Sequence, residues 1–221
     1  MDGELTINWV DLGYTTGVKQ QGNCGSCWAF AATTAMETMQ AIQTGNDPVR
    51  LSEQEAVDCV ERSSGCMGGW MENYWKWSKD GSGSQPYETY PYQGKDKSCR
   101  YQDNPKIAKA ASCADIKSVD DMKMAIQDGP LTVAVAADNW CWRYYDAGVL
   151  SSANNCPNRE SALDHGVVVV GLHTKGYDIG ETVCRRASRR ERKNKQCNGD
   201  DEELSPNKKG NRPNRRCCRW V

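Results

Sequence analysis

Gln21-Gly22-Asn23-Cys24-Gly25-Ser26-Cys27-Trp28-Ala29-Phe30 sets a glutamine and two cysteines directly ahead of a helical pattern. Behind Cys27 the residues Trp28, Ala31, Ala35, Met39 and Ile42 recur at three- and four-residue steps, and Gly45 supplies a stop. This spacing predicts a helix with one apolar face, and it puts Cys27 in the first turn. Unpaired backbone N–H groups and the positive end of the helix dipole favour a thiolate there and make the sulfur more nucleophilic near neutral pH, so position alone partly activates it. Taken by itself, Cys24-Gly-Ser-Cys27 also suits a thioredoxin-like redox pair or half of a zinc site. The following Trp28 and the absence of a second Cys-x-x-Cys weigh against both, and neither metal nor cofactor is expected.

A thiolate that attacks a carbonyl needs a group to protonate the leaving amine, and the chain has only His165 and His173. His165 opens the run His165-Gly-Val-Val-Val-Val-Gly171, whose apolar residues predict a buried strand from Val167 to Leu172; His173 follows that strand. The context around His165 selects it as the partner of Cys27.

Several motifs in order now resemble the papain family of cysteine peptidases, most closely its cathepsin L branch. Gln21 to Phe30 is similar to the nucleophile segment, Leu51-Ser-Glu-Gln-Glu-Ala-Val-Asp-Cys59 to the second helix, and Gly65-Cys-Met-Gly-Gly69 to the substrate-binding glycine loop. Tyr90-Pro-Tyr92 and Leu163-Asp-His-Gly166 complete the set. The family histidine lies roughly 130–150 residues past the nucleophile motif, a range that admits His165 and His173 alike. The resemblance implies a cysteine endopeptidase in which Cys27 attacks, His165 protonates the leaving group, and Gln21 joins the Cys27 N–H in an oxyanion hole. It implies that Gly68 and Gly69 pair with an extended substrate, with Asp164 among the substrate-binding residues. Trp70, Met71, Ala134 and Leu163 would line the pocket for the second residue before the cleaved bond. All four are uncharged, so a hydrophobic side chain is expected there. Peptide or protein substrates follow, with cystatin-like inhibitors or a propeptide as further partners, and a monomer.

The implied fold class is α+β: a papain-like two-lobe fold with a helical first lobe, a β-rich second lobe and the active site in the cleft between them. With 221 residues, 38% of them hydrophobic, and no long linker or internal repeat, the chain fits a single peptidase domain. The helical lobe covers about 1–111, the β-rich lobe about 112–183 and an atypical tail 184–221. In the first lobe the patterns predict the Cys27 helix, a helix started by a Ser52/Glu55 capping box, and a helix from Trp70 to Asp80 stopped by Gly81. In the second they predict a short helix near Asp121 to Gln127 and a strand from Pro130 through Ala136. Nothing in the chain reads as a membrane span.

Twelve cysteines in a chain of this size argue for an oxidising compartment, lysosomal or vacuolar or extracellular. The resemblance pairs Cys24 with Cys66, Cys59 with Cys99, and Cys156 with Cys197, and suggests a bridge between Cys113 and Cys141. The chain opens Met1-Asp-Gly-Glu4 without a signal or inhibitory segment, as expected if these were removed or if the sequence is a piece of a longer one.

The tail departs from the family pattern. No Asn-Ser-Trp segment, whose asparagine orients the histidine, follows His173. Instead Arg185-Arg-Ala-Ser-Arg-Arg-Glu-Arg-Lys193 begins a polar stretch. From Cys184 onward thirteen basic and five acidic residues give +8, against −9 for the part before it. A frame shift or retained intron, a genuine divergent tail, and a basic binding arm are the competing explanations. The arm is disfavoured by its single aromatic residue, Trp220, so no nucleic-acid partner is expected. Asp178, Glu181 and Asn194 are all available to orient His165. The alternative function is a catalytically impaired peptidase homologue that binds peptides or inhibitors without turnover.

Overall fold

A computed structural model describes residues 6–81, 83–101, 105–146, 150 and 163–173. These fall into two compact units, one holding the described residues up to 135 together with 163–173, the other the described residues from 136 to 150. The first begins with strand β1 (Thr6–Asn8) and continues through helices α1 (Cys27–Thr44), α2 (Glu53–Cys59), α3 (Met71–Asp80) and α4 (Val119–Ala125). Strands β2 (Leu131–Val135), β3 (His165–Val169) and β4 (Gly171–His173) complete it, and 3₁₀ turns lie at Gly65–Met67 and Tyr87–Thr89.

Helix α1 ends where the sequence predicts. Gly45 takes a left-handed conformation at φ 67° and returns its N–H to the Ala41 carbonyl at 2.9 Å. The prediction of one apolar face is corrected. Burial extends around α1 to Ala29, Ala32, Thr33, Met36, Glu37 and Thr38, whereas Met39 and Ile42 are only partly covered. The reason is that α2, α3, β2 and β3 all pack against this helix. Its buried threonines are satisfied within the helix, Thr33 and Thr38 donating to the Phe30 and Thr34 carbonyls, and Glu37 is ion-paired with Lys19.

Helix α2 uses half of the predicted capping box. Ser52 Oγ accepts the Glu55 N–H at 2.8 Å, but the Glu55 carboxylate turns away to accept the backbone N–H and side-chain amide of Gln85 at 3.0 and 2.8 Å. The Ser52 N–H goes to the Gln85 carbonyl instead. Between α1 and α2 sits a buried ionic cluster. Lys19 Nζ reaches Glu37 at 2.6 Å and Glu53 at 2.9 Å, Arg50 pairs with Glu53, and Glu37 also accepts the Leu51 N–H and the Thr16 hydroxyl. Around it Trp28, Ala31, Leu51, Ala56, Val57, Met71 and Tyr74 form the apolar core.

Helix α3 begins one residue after the predicted start, with Trp70 at its cap, and Gly81 closes it by donating to the Trp77 carbonyl. Helix α4 lies two residues earlier than predicted, with Ser118 capping the Asp121 N–H.

The run read as one buried strand is two half-buried strands. β3 pairs antiparallel with β2, setting Val133 opposite Val167, Ala134 opposite Gly166, and Val135 opposite His165. At Val170 the chain changes partner: its carbonyl accepts the Trp9 N–H at 2.9 Å, and β4 then pairs with β1, Leu172 opposite Ile7. A Cβ on Gly171 would stand 2.6 Å from the Ile7 carbonyl oxygen, so only glycine allows this approach. Each described sheet has two strands.

Disulfides join Cys24 to Cys66 and Cys59 to Cys99. The bridge between Cys113 and Cys141 is not formed. Cys113 is a free, exposed thiol, and Cys141 is disulfide-bonded. Cys156, Cys197 and the tail from 184 to 221 lie outside the described residues, as do Asp178, Glu181 and Asn194. The second unit contains the short helix α5 (Trp140–Arg143), capped by Asn139 Oδ1, which accepts the N–H groups of Cys141 and Trp142.

Candidate active site

The start of α1 is fastened to the glycine loop at three points. The Cys24–Cys66 disulfide is one, the Gly25 N–H donating to the Cys66 carbonyl at 2.8 Å is another, and Trp28 Nε1 donating to the Gly65 carbonyl at 3.0 Å is the third. A Cβ on Gly25 would lie 2.5 Å from that Cys66 oxygen. The loop is held from its far side by Asp96, whose carboxylate accepts the Cys66 N–H at 2.8 Å. Cys27, the first residue of α1, is therefore presented on a rigid base.

Strand β3 brings His165 and Gly166 to Cys27 across 139 residues of sequence. The Gly166 N–H points at Cys27 Sγ at 3.4 Å, and the His165 side chain hydrogen-bonds the thiol. A Cβ on Gly166 would approach Met71 Sδ to 3.1 Å and the Trp28 backbone to 3.5 Å, so glycine lets the strand lie against the helix terminus. Burial is the largest single influence on Cys27 and raises its pKa. The hydrogen bonds from His165 and Gly166, the imidazole charge and the Trp28 N–H together outweigh it and leave the thiol below its ordinary value. His173 lies apart from this pair in sequence order and pairing, in β4 opposite Thr6.

Gln21 sits just ahead of this cluster. Its Nε2 donates to the Cys24 carbonyl at 2.9 Å, which leaves a second N–H on the same nitrogen, while its buried Oε1 has no hydrogen-bond partner among the described residues. Of the glycine loop, Gly68 takes φ 120°, and the backbone of Gly69 makes no hydrogen bond among the described residues. Gly69 is packed so tightly that a Cβ would meet Trp28 Cδ2 at 2.7 Å.

The residues expected to line the substrate pocket divide. Met71 is buried in the core cluster and touches the site through Gly166; Ala134 is half-buried opposite Gly166; Trp70 and Leu163 are exposed at 61% and 46%. Asp164 precedes His165 and donates its N–H to the Val135 carbonyl at 3.1 Å, which sets the end of the β2–β3 ladder. No cluster of His, Cys, Asp or Glu suited to a metal occurs among the described residues. Two residues given no role from sequence stand at the site: Ser26, fully buried, and Tyr92, which bonds both Ser26 and Gln21. The Tyr90-Pro-Tyr92 motif was the only signal for the latter.

Residues 5–184 match the model of the family described as papain family cysteine protease. Over 177 residues the chain is 37% identical to procathepsin L of Rattus norvegicus, covering 78% of this chain and 52% of that protein. Over 174 residues it is 40% identical to cathepsin L of Sarcophaga peregrina, covering 76% and 50%. It thus spans about half the length of the relatives it matches. Among solved structures it superposes on a cysteine protease of Carica candamarcensis in complex with E-64 with TM-score 0.67 and 31% identity, covering 76% of each chain. The bromelain protease of Ananas comosus, also in complex with E64, gives TM-score 0.67 and 33% identity, covering 75% of this chain and 74% of that one. With a helix-borne cysteine, a strand-borne histidine and an α+β fold that superposes on these proteases, the chain belongs to the papain family of cysteine proteases.

Proposed function

We propose that the protein is a cysteine endopeptidase in which Cys27 is the nucleophile, His165 the general acid and base, and Gln21 an oxyanion donor. The observation that carries this is Cys27 at the start of α1 with β3 laid against it, the Gly166 N–H 3.4 Å from its Sγ and His165 the preceding residue; these groups lower the Cys27 pKa against the opposing effect of burial. The Cys27 thiolate adds to the peptide carbonyl, and the resulting oxyanion is met by the Cys27 N–H and the second N–H of Gln21 Nε2. The intermediate collapses as the C–N bond breaks and protonated His165 gives its proton to the amine. His165, now neutral, takes a proton from water, whose oxygen attacks the thioester; the acid product leaves and Cys27 returns as thiolate with His165 protonated.

An extended substrate would pair with the free backbone of Gly69. Met71, Ala134 and Leu163, with exposed Trp70, offer only uncharged contacts, which supports a hydrophobic side chain two residues before the cleaved bond. The family match ends at residue 184, in keeping with one peptidase domain in two parts, 1–111 and 112–183, followed by a basic tail. The relatives named procathepsin support a propeptide as one partner; cystatin-like inhibitors and a monomeric state complete the proposal. Two disulfides among the described residues support a lysosomal, vacuolar or extracellular site.

The test is hydrolysis of a fluorogenic peptide with a hydrophobic residue in that position, at mildly acidic pH under gentle reduction. Turnover is expected to vanish in Cys27→Ala, to fall roughly a hundred- to a thousandfold in Gln21→Ala, and to be blocked by E-64. Folded protein that binds the peptide without cleaving it would replace this function with the non-catalytic one.

A further inference from the structure

Ser26 occupies the N-cap of α1, where a serine hydroxyl ordinarily accepts a first-turn N–H, yet its side chain makes no capping bond. Its Oγ lies instead 2.7 Å from Tyr92 Oη, and Tyr92 Oη donates to the Gln21 carbonyl at 2.8 Å. A phenol has one proton. Since Tyr92 gives it to Gln21, the Ser26 hydroxyl must donate to Tyr92, and the three groups form a directed chain from Ser26 through Tyr92 to Gln21. Burial, the largest influence, raises the Tyr92 pKa; the Ser26 hydrogen bond opposes this, and the Glu53 and Asp96 carboxylates add to the rise, so the donating proton stays in place. The ring is held edge-on to Phe30, with centroids 4.9 Å apart.

This chain ends on the two segments that carry the oxyanion donors. One is the backbone of Gln21, whose side-chain oxygen has no partner of its own among the described residues and whose amide is held by a single bond to Cys24. The other is the residue before Cys27. Because Ser26 is turned toward Tyr92, no side-chain oxygen competes for the first-turn donors beside Cys27. We propose that Tyr92 is a positioning residue that fixes the spacing of the Gln21 and Cys27 oxyanion donors by tying the Gln21 carbonyl to the Ser26 hydroxyl.

The assignment rests on the roles proposed above for Cys27 and Gln21, and its test keeps the two apart. Tyr92→Phe, alone and combined with Gln21→Ala, is compared with the native chain in three assays: peptide hydrolysis, affinity for a peptide aldehyde, and alkylation of Cys27 by iodoacetamide. The aldehyde adduct is a tetrahedral hemithioacetal whose oxygen sits where the oxyanion would form, without requiring turnover, whereas alkylation forms no such oxygen. Tyr92→Phe is expected to lower kcat and aldehyde affinity roughly tenfold to a hundredfold, with KM and the alkylation rate within about twofold of native. When Gln21 is already alanine, the same change is expected to cost less than about threefold more, because the two residues act through one donor. Losses that multiply in full, a parallel fall in alkylation, or unchanged aldehyde affinity would each overturn the role of Tyr92. A native chain without turnover whose aldehyde affinity still depends on Tyr92 would refute the peptidase function and leave the positioning role standing.

Discussion

Cys27 shows how a sequence signal and a tertiary contact divide the work of activating one sulfur. The helix start is local and readable from the spacing of Trp28, Ala31 and Ala35; the hydrogen bonds from His165 and Gly166 come from a strand 139 residues away. Because the folded pKa is lowered, the thiolate persists below the ordinary thiol range. Its pairing stabilises the fold fully above the unfolded value and loses that contribution as pH falls through the folded one. Alkylation rates measured against pH should follow the same descent. In His165→Ala, burial is no longer outweighed to the same degree, so the titration should move upward and the rate at neutral pH should fall roughly tenfold or more. An unchanged profile would show that the helix start alone sets the thiol. Ser26 and Tyr92 illustrate what a linear reading misses: a serine before a helix signals a cap, and only a tyrosine 66 residues on reveals that its hydroxyl is used elsewhere.

At the scale of elements, periodicity located α1, α2, α3 and α4 to within a few residues, because each starts or stops on a Ser, Gly or Trp at its boundary. It misjudged surroundings. The burial of α1 on nearly every side depends on how many neighbours surround it, which no period encodes, and the division of the valine run at Val170 depends on which strand receives each half. Gly25 is the sharpest case of an element fixed by close approach. Its hydrogen bond to Cys66 leaves no room for a methyl group, so Gly25→Ala should displace the start of α1 from the glycine loop. A stability loss of about 1–3 kcal/mol in urea unfolding is expected, with a larger proportional loss of Cys27 reactivity. Native stability in that variant would mean that the loop can yield.

For the chain as a whole, the almost fully buried side chains of Lys19, Glu37 and Glu53, with the partly exposed Arg50, join the segment before Gln21 to α1 and α2. Lys19→Met would leave two carboxylates close together without their shared cation, and should destabilise the protein by about 3–5 kcal/mol. Since Lys19 lies two residues before Gln21, thermal unfolding and peptide turnover should decline together. The acidic pattern of α2 is visible in Leu51 to Cys59, but the match of Lys19 to two glutamates from different helices is not, because it arises only once those helices are packed.

The pairing of β1 with β4 has a further consequence during synthesis. Residues 6–8 leave the ribosome well before their ladder partners at 171–173, and the glycine that bears on Cys27 emerges 139 residues after it. Until then the sulfur exists in a nascent chain without the groups that lower its pKa, so its reactivity arrives only when β3 has folded back against the start of α1.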